Sequence, residues 1–314
     1  MNPDRPLWLI AAPAVFLALW SGGYAVAKVG LLYTDPMTLL ALRYGIVVAI
    51  MAVLFAIIRP PLPNRAADWG HLAVVGFLIQ AVYFGMAYFA FRAGVAAGTV
   101  ALVFSLQPII VALIAPRWSG EAIGRNQWLG LGLGLIGTAI VITMRAQVEA
   151  PSALGLFFTG LALAGITGGS LWEKRFGLDH HPVTANLVGY SAGLVGILPA
   201  MLWLEPLRIT WSWEFSAALA YLVIGNSVIA VGLLLAMIRA GDVARVSALF
   251  FLVPPLAALL AWALLGEVMP VAAWFGIGVA ALGVYLATRR APHGARTAAD
   301  INRGQNQTRR SRRR

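Results

Sequence analysis

Residues 36–58 read PMTLLALRYGIVVAIMAVLFAII, an apolar run whose single charged side chain is Arg43. The hydrocarbon core of a bilayer is about 30 Å thick, so a helix needs roughly 20 consecutive apolar residues to cross it. This stretch is long enough and apolar enough to do so, and it predicts a transmembrane helix.

Nine further stretches have the same character. The ten predicted spans cover residues 8–31, 36–58, 70–91, 95–116, 126–145, 151–176, 182–204, 214–238, 243–265 and 270–289. The segments between them are short and rich in Pro, Gly, Arg and Asp, so none is long enough to hold a soluble domain. We therefore predict an all-α integral membrane protein with ten transmembrane helices.

The composition excludes several classes of protein. Of 314 residues, 60% are hydrophobic and 11% charged, whereas a soluble domain is about half apolar and a quarter charged. A typical cytosolic enzyme, a disordered protein and a secreted disulfide scaffold are excluded. The chain has no cysteine, so disulfides, thiolate metal sites and cysteine nucleophiles are excluded as well.

The charge distribution predicts the orientation. With a cytoplasmic N-terminus, 18 of the 23 Lys and Arg residues lie inside and 5 lie on or near the outer side, as the positive-inside rule requires. Both termini are therefore predicted to be cytoplasmic, in a bacterial inner membrane. Nine of these residues lie at or beyond Arg289. Residues 291–314 are expected to form a disordered basic tail that contacts anionic lipid rather than nucleic acid.

The chain matches itself when it is shifted by 146 residues. The matched pairs include Gly22-Gly23 with Gly168-Gly169, Lys28 with Lys174, Pro36 with Pro182, Tyr44 with Tyr190, Gln80 with Asn226, Gly130 with Gly276 and Gly137 with Gly283. This predicts two repeats, residues 1–147 and 148–290, of five helices each. Because five is odd, the second repeat enters the membrane from the opposite side. Inverted repeats are typical of transporters that expose a site near the membrane midplane to each side in turn.

Particular motifs carry a family resemblance. Trp20-Ser21-Gly22-Gly23-Tyr24, with Lys28, Pro36 and Arg43, resembles the opening of the drug/metabolite transporter superfamily. The pattern Arg92-Ala93-Gly94, Pro108 and Gly120-Glu121 recurs as Arg239-Ala240-Gly241, Pro255 and Gly266-Glu267, and is similar to the tandem halves of the ten-helix, EamA-type members. The resemblance implies metabolite export across the bacterial inner membrane, with amino acids, aromatic ones in particular, as expected substrates. Arg43 departs from the repeat, because its counterpart is Gly189.

Aromatic and polar residues at helical spacing suggest a substrate pocket. The predicted substrate-binding residues are Trp20, Tyr24, Gln80, Tyr83, Phe84, Tyr88, Gln107 and Asn226. Their rings would contact a planar or apolar substrate, and their hydroxyl and amide groups its polar end. The alternative is ordinary helix packing, with the amides joining helices.

Paired glycines and prolines suggest hinges or gates. These candidates are Gly22, Gly23, Pro108, Gly168, Gly169, Pro254 and Pro255. Proline removes a backbone hydrogen bond and bends a helix. A static kink that only shapes packing is the alternative interpretation.

Charged residues inside spans need partners. Arg43 lies about two turns inside the second span and needs a partner there. Backbone carbonyls, a tyrosine or a substrate carboxylate could be that partner. Lys174, Arg175, Arg92 and Arg239 are expected to extend to lipid headgroups, and Ser227 to cap its own backbone. No carboxylate is predicted at a helix centre, so we expect a facilitator that needs no proton gradient.

Other functions stay open at this point. A proton-coupled exporter of aromatic cationic drugs, using cation–π contacts, is the first alternative, and a channel is the second. The spacing of His, Asp and Glu predicts no metal site and no cofactor. We find no set of catalytic residues in the sequence and do not expect an enzyme. We expect a monomer.

Overall fold

The structure is a computed structural model that describes residues 7–95, 100, 103–118, 120, 123–145, 152–177, 180–240, 243–256, 259 and 271–288. Regular structure in these ranges is helical, apart from one isolated bridge between Thr34 and Ile209. The helices are α1 Leu7–Gly30, α2 Pro36–Ile58, α3 Ala66–Arg92, α4 Gln107–Trp118, α5 Arg125–Arg145, α6 Ala153–Phe176, α7 Pro182–Leu204, α8 Trp213–Ala240, α9 Val243–Ala248 and α10 Val271–Thr288.

Six segments are long and apolar enough to cross a membrane. They are Ala11–Gly30, Pro36–Ile58, Ala66–Arg92, Ala153–Phe176, Pro182–Leu204 and Trp213–Ala240. Their limits lie within about four residues of the predicted spans. Pro36 starts α2 because its fixed φ suits the first turn and its missing N–H would have no helical partner there.

The fourth predicted span, residues 95–116, differs from the structure. Its residues 96–99, 101 and 102 lie outside the described residues, a turn occupies residues 105–106, and α4 begins at Gln107. Pro108 lies in the first turn of α4, and the N–H groups of Ile109 and Ile110 both bond to Leu106 O. In the second half a 3-10 turn, Leu249–Leu252, precedes Pro254 and Pro255. The two breaks lie 146 residues apart.

Helices α3 and α8 each contain a π-helical segment. Residues Phe77–Phe84 in α3 and Tyr221–Ala230 in α8 have the wider i→i+5 geometry. Such segments are rare and are frequent at functional sites. Each lies near the middle of its helix, where a wider turn changes the direction of the side chains.

Helices from the two halves pack crosswise. Helix α1 packs on the π segment of α8, and its counterpart α6 packs on the π segment of α3. Helix α2 packs on its own counterpart α7, and α5 on α10. Several contacts between the halves therefore occur twice, with the roles of the two halves exchanged.

Helices α5 and α10 cross through glycines. A Cβ atom built on Gly130 would lie 2.4 Å from Ala287 N, and one on Gly137 would lie 2.3 Å from Ala280 N. Low numbers in α5 meet high numbers in α10, so the two helices are antiparallel. Small residues allow this approach, which gives van der Waals contact between backbones in a lipid environment.

Hydrogen bonds define two ends of the helix assembly. At the Glu205 end, the Glu205 carboxylate accepts from Met37 N and Thr38 N, each at 2.7 Å. At the Glu173 end, Glu173 pairs with Arg239. The start of α1 lies away from the Glu205 end, because Tyr33 O, just after α1, accepts from Thr210 N. The end of α10 lies at the Glu173 end, because Ala287 lies beside Gly130 near the start of α5, and Trp118, at the end of the preceding helix, donates to Leu171 O on α6.

We predict that Gly130→Ala destabilises the protein by about 1–3 kcal/mol, the usual cost of overpacking. The added methyl would lie 2.4 Å from Ala287 N and 2.5 Å from Gly283 O, both of them backbone atoms. The measurement is the temperature at which detergent-solubilised protein loses its monodisperse peak.

Gly132→Ala on the same helix is the matched control, because a Cβ at Gly132 has nothing within 4 Å. Equal unfolding temperatures for the two variants would contradict the described crossing of α5 and α10.

Candidate functional site

Arg43 is fully buried and bridges α2 to α8. Its Nε donates to Ser227 Oγ at 2.5 Å, its Nη2 to Asn226 Oδ1 at 2.7 Å and its Nη1 to Tyr88 Oη at 3.3 Å. Its guanidinium carbon lies 4.5 Å from the centre of the Phe84 ring. The charge is thus held by neutral acceptors and the rings of Phe84 and Tyr44.

An aromatic cluster continues from Phe84 towards α1. The Trp20 ring stacks on the Tyr83 ring at 6.0 Å and lies 5.8 Å from the Phe84 ring. The hydroxyl groups of Tyr24 and Tyr83 are 2.8 Å apart, within hydrogen-bonding distance. Phe250 closes the cluster on a further side, edge-on to Trp20 at 5.5 Å. These contacts form a continuous aromatic wall beside Arg43.

The structure brings six of the eight predicted substrate-binding residues into this network: Trp20, Tyr24, Tyr83, Phe84, Tyr88 and Asn226. Their rings pack against one another. Gln107 instead donates to Ser247 Oγ at 3.2 Å, joining α4 to α9. Gln80 lies beside a separate crevice, and its buried Oε1 has no partner in the described structure.

This crevice opens on the Glu173 side of the aromatic residues. It is narrow, with room for about one water molecule, and extends from the Glu173–Arg239 pair to Gln80 and Tyr190. Tyr190 packs edge-on against Tyr44 at 5.4 Å, and the Tyr44 ring lies beside Arg43. The two tyrosines therefore separate the crevice from the Arg43 network.

Most of the site residues lie in the two π segments. Gln80, Tyr83 and Phe84 lie in the segment of α3, and Asn226 and Ser227 in that of α8. The wider helix leaves backbone carbonyls for other donors. Tyr44 donates to Gln80 O at 2.8 Å.

Tyr190, the repeat counterpart of Tyr44, makes the matching bond. Its hydroxyl donates to Ser227 O at 2.9 Å. Residues Tyr44 and Tyr190 are thus each attached to one π segment. Nothing in the residue pattern distinguishes these segments from regular helix, so the sequence does not predict them.

The glycine pairs permit close helix contact. Helix α1 runs unbroken through Gly22 and Gly23. A Cβ on Gly22 would lie 2.4 Å from Tyr221 Oη, and one on Gly23 would lie 2.4 Å from Asn226 Nδ2.

The second pair has the same environment. Helix α6 is also unbroken at Gly168 and Gly169, and a Cβ on Gly169 would lie 2.7 Å from Ile79 Cγ1. Both pairs thus contact π segments, which gives them a packing role here. A hinge at these positions stays a prediction.

Two expectations about charged and polar groups were wrong. Arg239 does not extend to headgroups but pairs with the buried Glu173 and donates to His180 O at 3.3 Å. Ser227 accepts from Arg43 rather than capping only its own helix. The predicted pocket does not include Arg43, for which the sequence offers carbonyls, a tyrosine or a substrate carboxylate as partners. Its position inside an apolar helix was the signal that could have placed it there.

The Arg43 position has no equivalent in the second half. At Gly189 the backbone of α3 comes so close that a Cβ on Gly76 would lie 2.2 Å from Gly189 Cα. A Cβ on Gly189 itself would lie 3.4 Å from Gly76 Cα, an ordinary contact, so this approach requires glycine at position 76 rather than at position 189.

Comparison with known proteins adds further observations. The sequence profile of the EamA-like transporter family matches the chain twice, over residues 7–143 and 152–289. A protein of known crystal structure superposes with a TM-score of 0.75 at 20% identity, over 90% of this chain and 97% of that chain. At that identity the likeness shows the fold alone.

Three relatives have matching lengths. The "Uncharacterized inner membrane transporter YedA" of Escherichia coli K12 is 25% identical over 89% of this chain and 90% of its own. A "Probable amino-acid metabolite efflux pump" of Salmonella typhimurium is 27% identical over 86% and 93%. "Protein PecM" of Dickeya dadantii is 29% identical over 79% and 82%.

We predict that Ser227→Ala lowers the free energy of unfolding by about 1.5–3 kcal/mol, the contribution of a hydrogen bond to a charged group. The change leaves Arg43 Nε buried without its acceptor. Thermal unfolding of the purified protein in detergent measures the effect.

Ser216→Ala is the control on the same helix, since Ser216 is exposed and bonds only to Ser212 O of its own chain segment. If both variants unfold at the temperature of the wild type, the hydrogen bond from Arg43 to Ser227 does not contribute to stability.

Proposed function

Because the chain belongs to the EamA-like transporter family, we propose that it is a secondary transporter that exports amino acids and related metabolites across the bacterial inner membrane by alternating access. The observation that carries this proposal is the reciprocal packing of two halves around the Arg43 network. Two related halves that meet at a buried polar site are the architecture of alternating-access carriers.

Ten membrane helices in two inverted repeats are part of the proposal. The family profile matches once in each half, and α2 packs on its own counterpart α7. The start of α1 and the end of α10 lie at the same end of the assembly, which is consistent with termini on one side. The excess of Lys and Arg there makes that side the cytoplasm.

The state described here is closed at the Glu205 end. There Glu205 holds the start of α2, Thr34 Oγ1 donates to Arg208 O at 2.8 Å, and Thr210 N donates to Tyr33 O at 2.9 Å. At the Glu173 end the crevice reaches inward to Tyr190. If the two halves exchanged their arrangements, the Glu173 end would close and the Glu205 end would open.

The substrate assignment combines two lines of support. A relative is named as an amino-acid metabolite efflux pump, and the predicted pocket residues form an aromatic wall beside a positive charge. Aromatic and large apolar amino acids fit that chemistry, because the rings match the side chain and the polar groups match the backbone end.

Transport is proposed to be facilitative. Proton-coupled carriers use an ionisable group inside the membrane that changes charge. Among the described residues Glu173 is the most deeply buried carboxylate, and it is paired with Arg239 near the end of α6. A metabolite that accumulates in the cytoplasm would leave down its own gradient, with the basic tail held against anionic lipid.

The test is counterflow in proteoliposomes loaded with unlabelled tryptophan or phenylalanine, with labelled amino acid outside and no ion gradient. We expect a transient accumulation of label above equilibrium, because a carrier exchanges internal for external substrate. A channel gives equilibration without an overshoot.

A second arm imposes a pH gradient. An overshoot in that arm alone would show obligatory proton coupling and contradict the facilitative proposal. No overshoot in either arm, with correctly inserted protein, would contradict transport of aromatic amino acids.

We further expect Trp20→Ala to reduce the counterflow rate at least tenfold at equal amounts of folded protein, since Trp20 is the centre of the aromatic wall. The control is Trp203→Ala, because Trp203 is 84% exposed at the end of α7. Normal transport by Trp20→Ala, Tyr24→Ala and Tyr83→Ala would place the pocket elsewhere.

A further inference from the structure

The positive charge of Arg43 has no counter-ion in the described part of the chain. The carboxylates there lie at helix ends and away from Arg43: Asp35, Asp68, Glu173, Glu205 and Glu214. Asp35 pairs with Arg92, Glu173 with Arg239, and Glu205 with the backbone of α2. Burying an ion without a partner of opposite charge is strongly unfavourable.

The three hydrogen bonds of Arg43 do not use all of its donors. A guanidinium has five N–H donors, and those bonds go to Ser227, Asn226 and Tyr88. Two further N–H groups remain, one on each Nη atom, with the Tyr190 hydroxyl as the other polar group close to the guanidinium. A carboxylate accepts two parallel N–H bonds from a guanidinium in the bidentate geometry that Arg favours.

The surroundings fit a carboxylate that is attached to an apolar group. Phe84 covers one face of the guanidinium, and Trp20 packs against Phe84. An apolar or aromatic body joined to a carboxylate on Arg43 would lie along that wall. A cation there would face the charge of Arg43 with no carboxylate to hold it.

We propose that Arg43 binds the carboxylate of the transported substrate and that the substrates are carboxylic acids with an apolar or aromatic body. This rests on the proposed transport function, and it makes Arg43 the residue that selects acids over amines. The single charge of Arg43 matches the single charge of a carboxylate. The aromatic cationic drugs of the alternative function are excluded by the same charge.

The test is binding, measured as the rise in unfolding temperature of detergent-purified protein with four related probes. These are 3-phenylpropionate, L-phenylalanine, L-phenylalaninamide and phenethylamine. We expect the first two, which have a carboxylate, to stabilise the wild type. The amide and the amine keep the ring but lack the carboxylate, and they should not stabilise it.

The matched variants are Arg43→Gln and Arg208→Gln. Removing the guanidinium of Arg43 should raise the half-saturating concentration of 3-phenylpropionate about 10- to 100-fold, the loss expected for hydrogen bonds to a charged group. Arg208 is exposed at the Glu205 end, so its variant should bind like the wild type. If Arg43→Gln does not fold, the comparison of the four probes on the wild type still tests whether the site selects a carboxylate over an amine.

Two results would overturn the proposal: equal stabilisation by phenethylamine and L-phenylalanine, or no stabilisation of the wild type by either carboxylate. A third outcome separates the two proposals. If counterflow of tryptophan and phenylalanine fails while 3-phenylpropionate binds in an Arg43-dependent manner, transport of aromatic amino acids is contradicted and the carboxylate site stands.

Discussion

Close backbone contact between helices is the constraint on which the rest of this structure depends. In lipid, apolar side chains gain little by leaving the solvent, so helices associate through van der Waals packing and hydrogen bonds. Gly22 and Gly23 let α1 touch Tyr221 and Asn226 on α8, and Gly130 lets α5 touch the backbone of α10. The polar network can form only because the helices approach to this distance.

That network, in turn, depends on the π segments of α3 and α8. In these segments Gln80 O and Ser227 O accept from Tyr44 and Tyr190. The same segments carry Tyr83, Phe84 and Asn226 to the site. The same turns therefore position both the accepting carbonyls and the site side chains, and a change in the turns would move both.

Much of the helix layout and part of the site follow from the sequence. Apolar length alone predicts α2 and α7 correctly, and spacing on the first and third spans correctly groups Trp20, Tyr24 and Tyr83. Spacing cannot predict which of two helical hydrogen-bond patterns a segment adopts, because π and α turns contain the same residue types and tertiary contacts decide between them.

Other features depend on contacts between distant parts of the chain. The bond from Arg43 to Ser227 joins residues 184 positions apart, and no periodicity indicates it. Gln107 lies outside the Arg43 network for the same reason: its burial is predictable from the sequence, but its partner Ser247 is not. Gln80 is on the α3 segment that was singled out, yet the wider turn points it towards the crevice.

The contact between Gly76 and Gly189 has a consequence for how such a chain can evolve. If the halves descend from one duplicated gene, they began with the same residue at positions 43 and 189. The close approach now bars a side chain at Gly76, where a Cβ would lie 2.2 Å from Gly189 Cα, whereas a Cβ on Gly189 would lie 3.4 Å from Gly76 Cα. One copy therefore keeps the charge at position 43, and the helix of the other copy requires glycine at position 76 of α3.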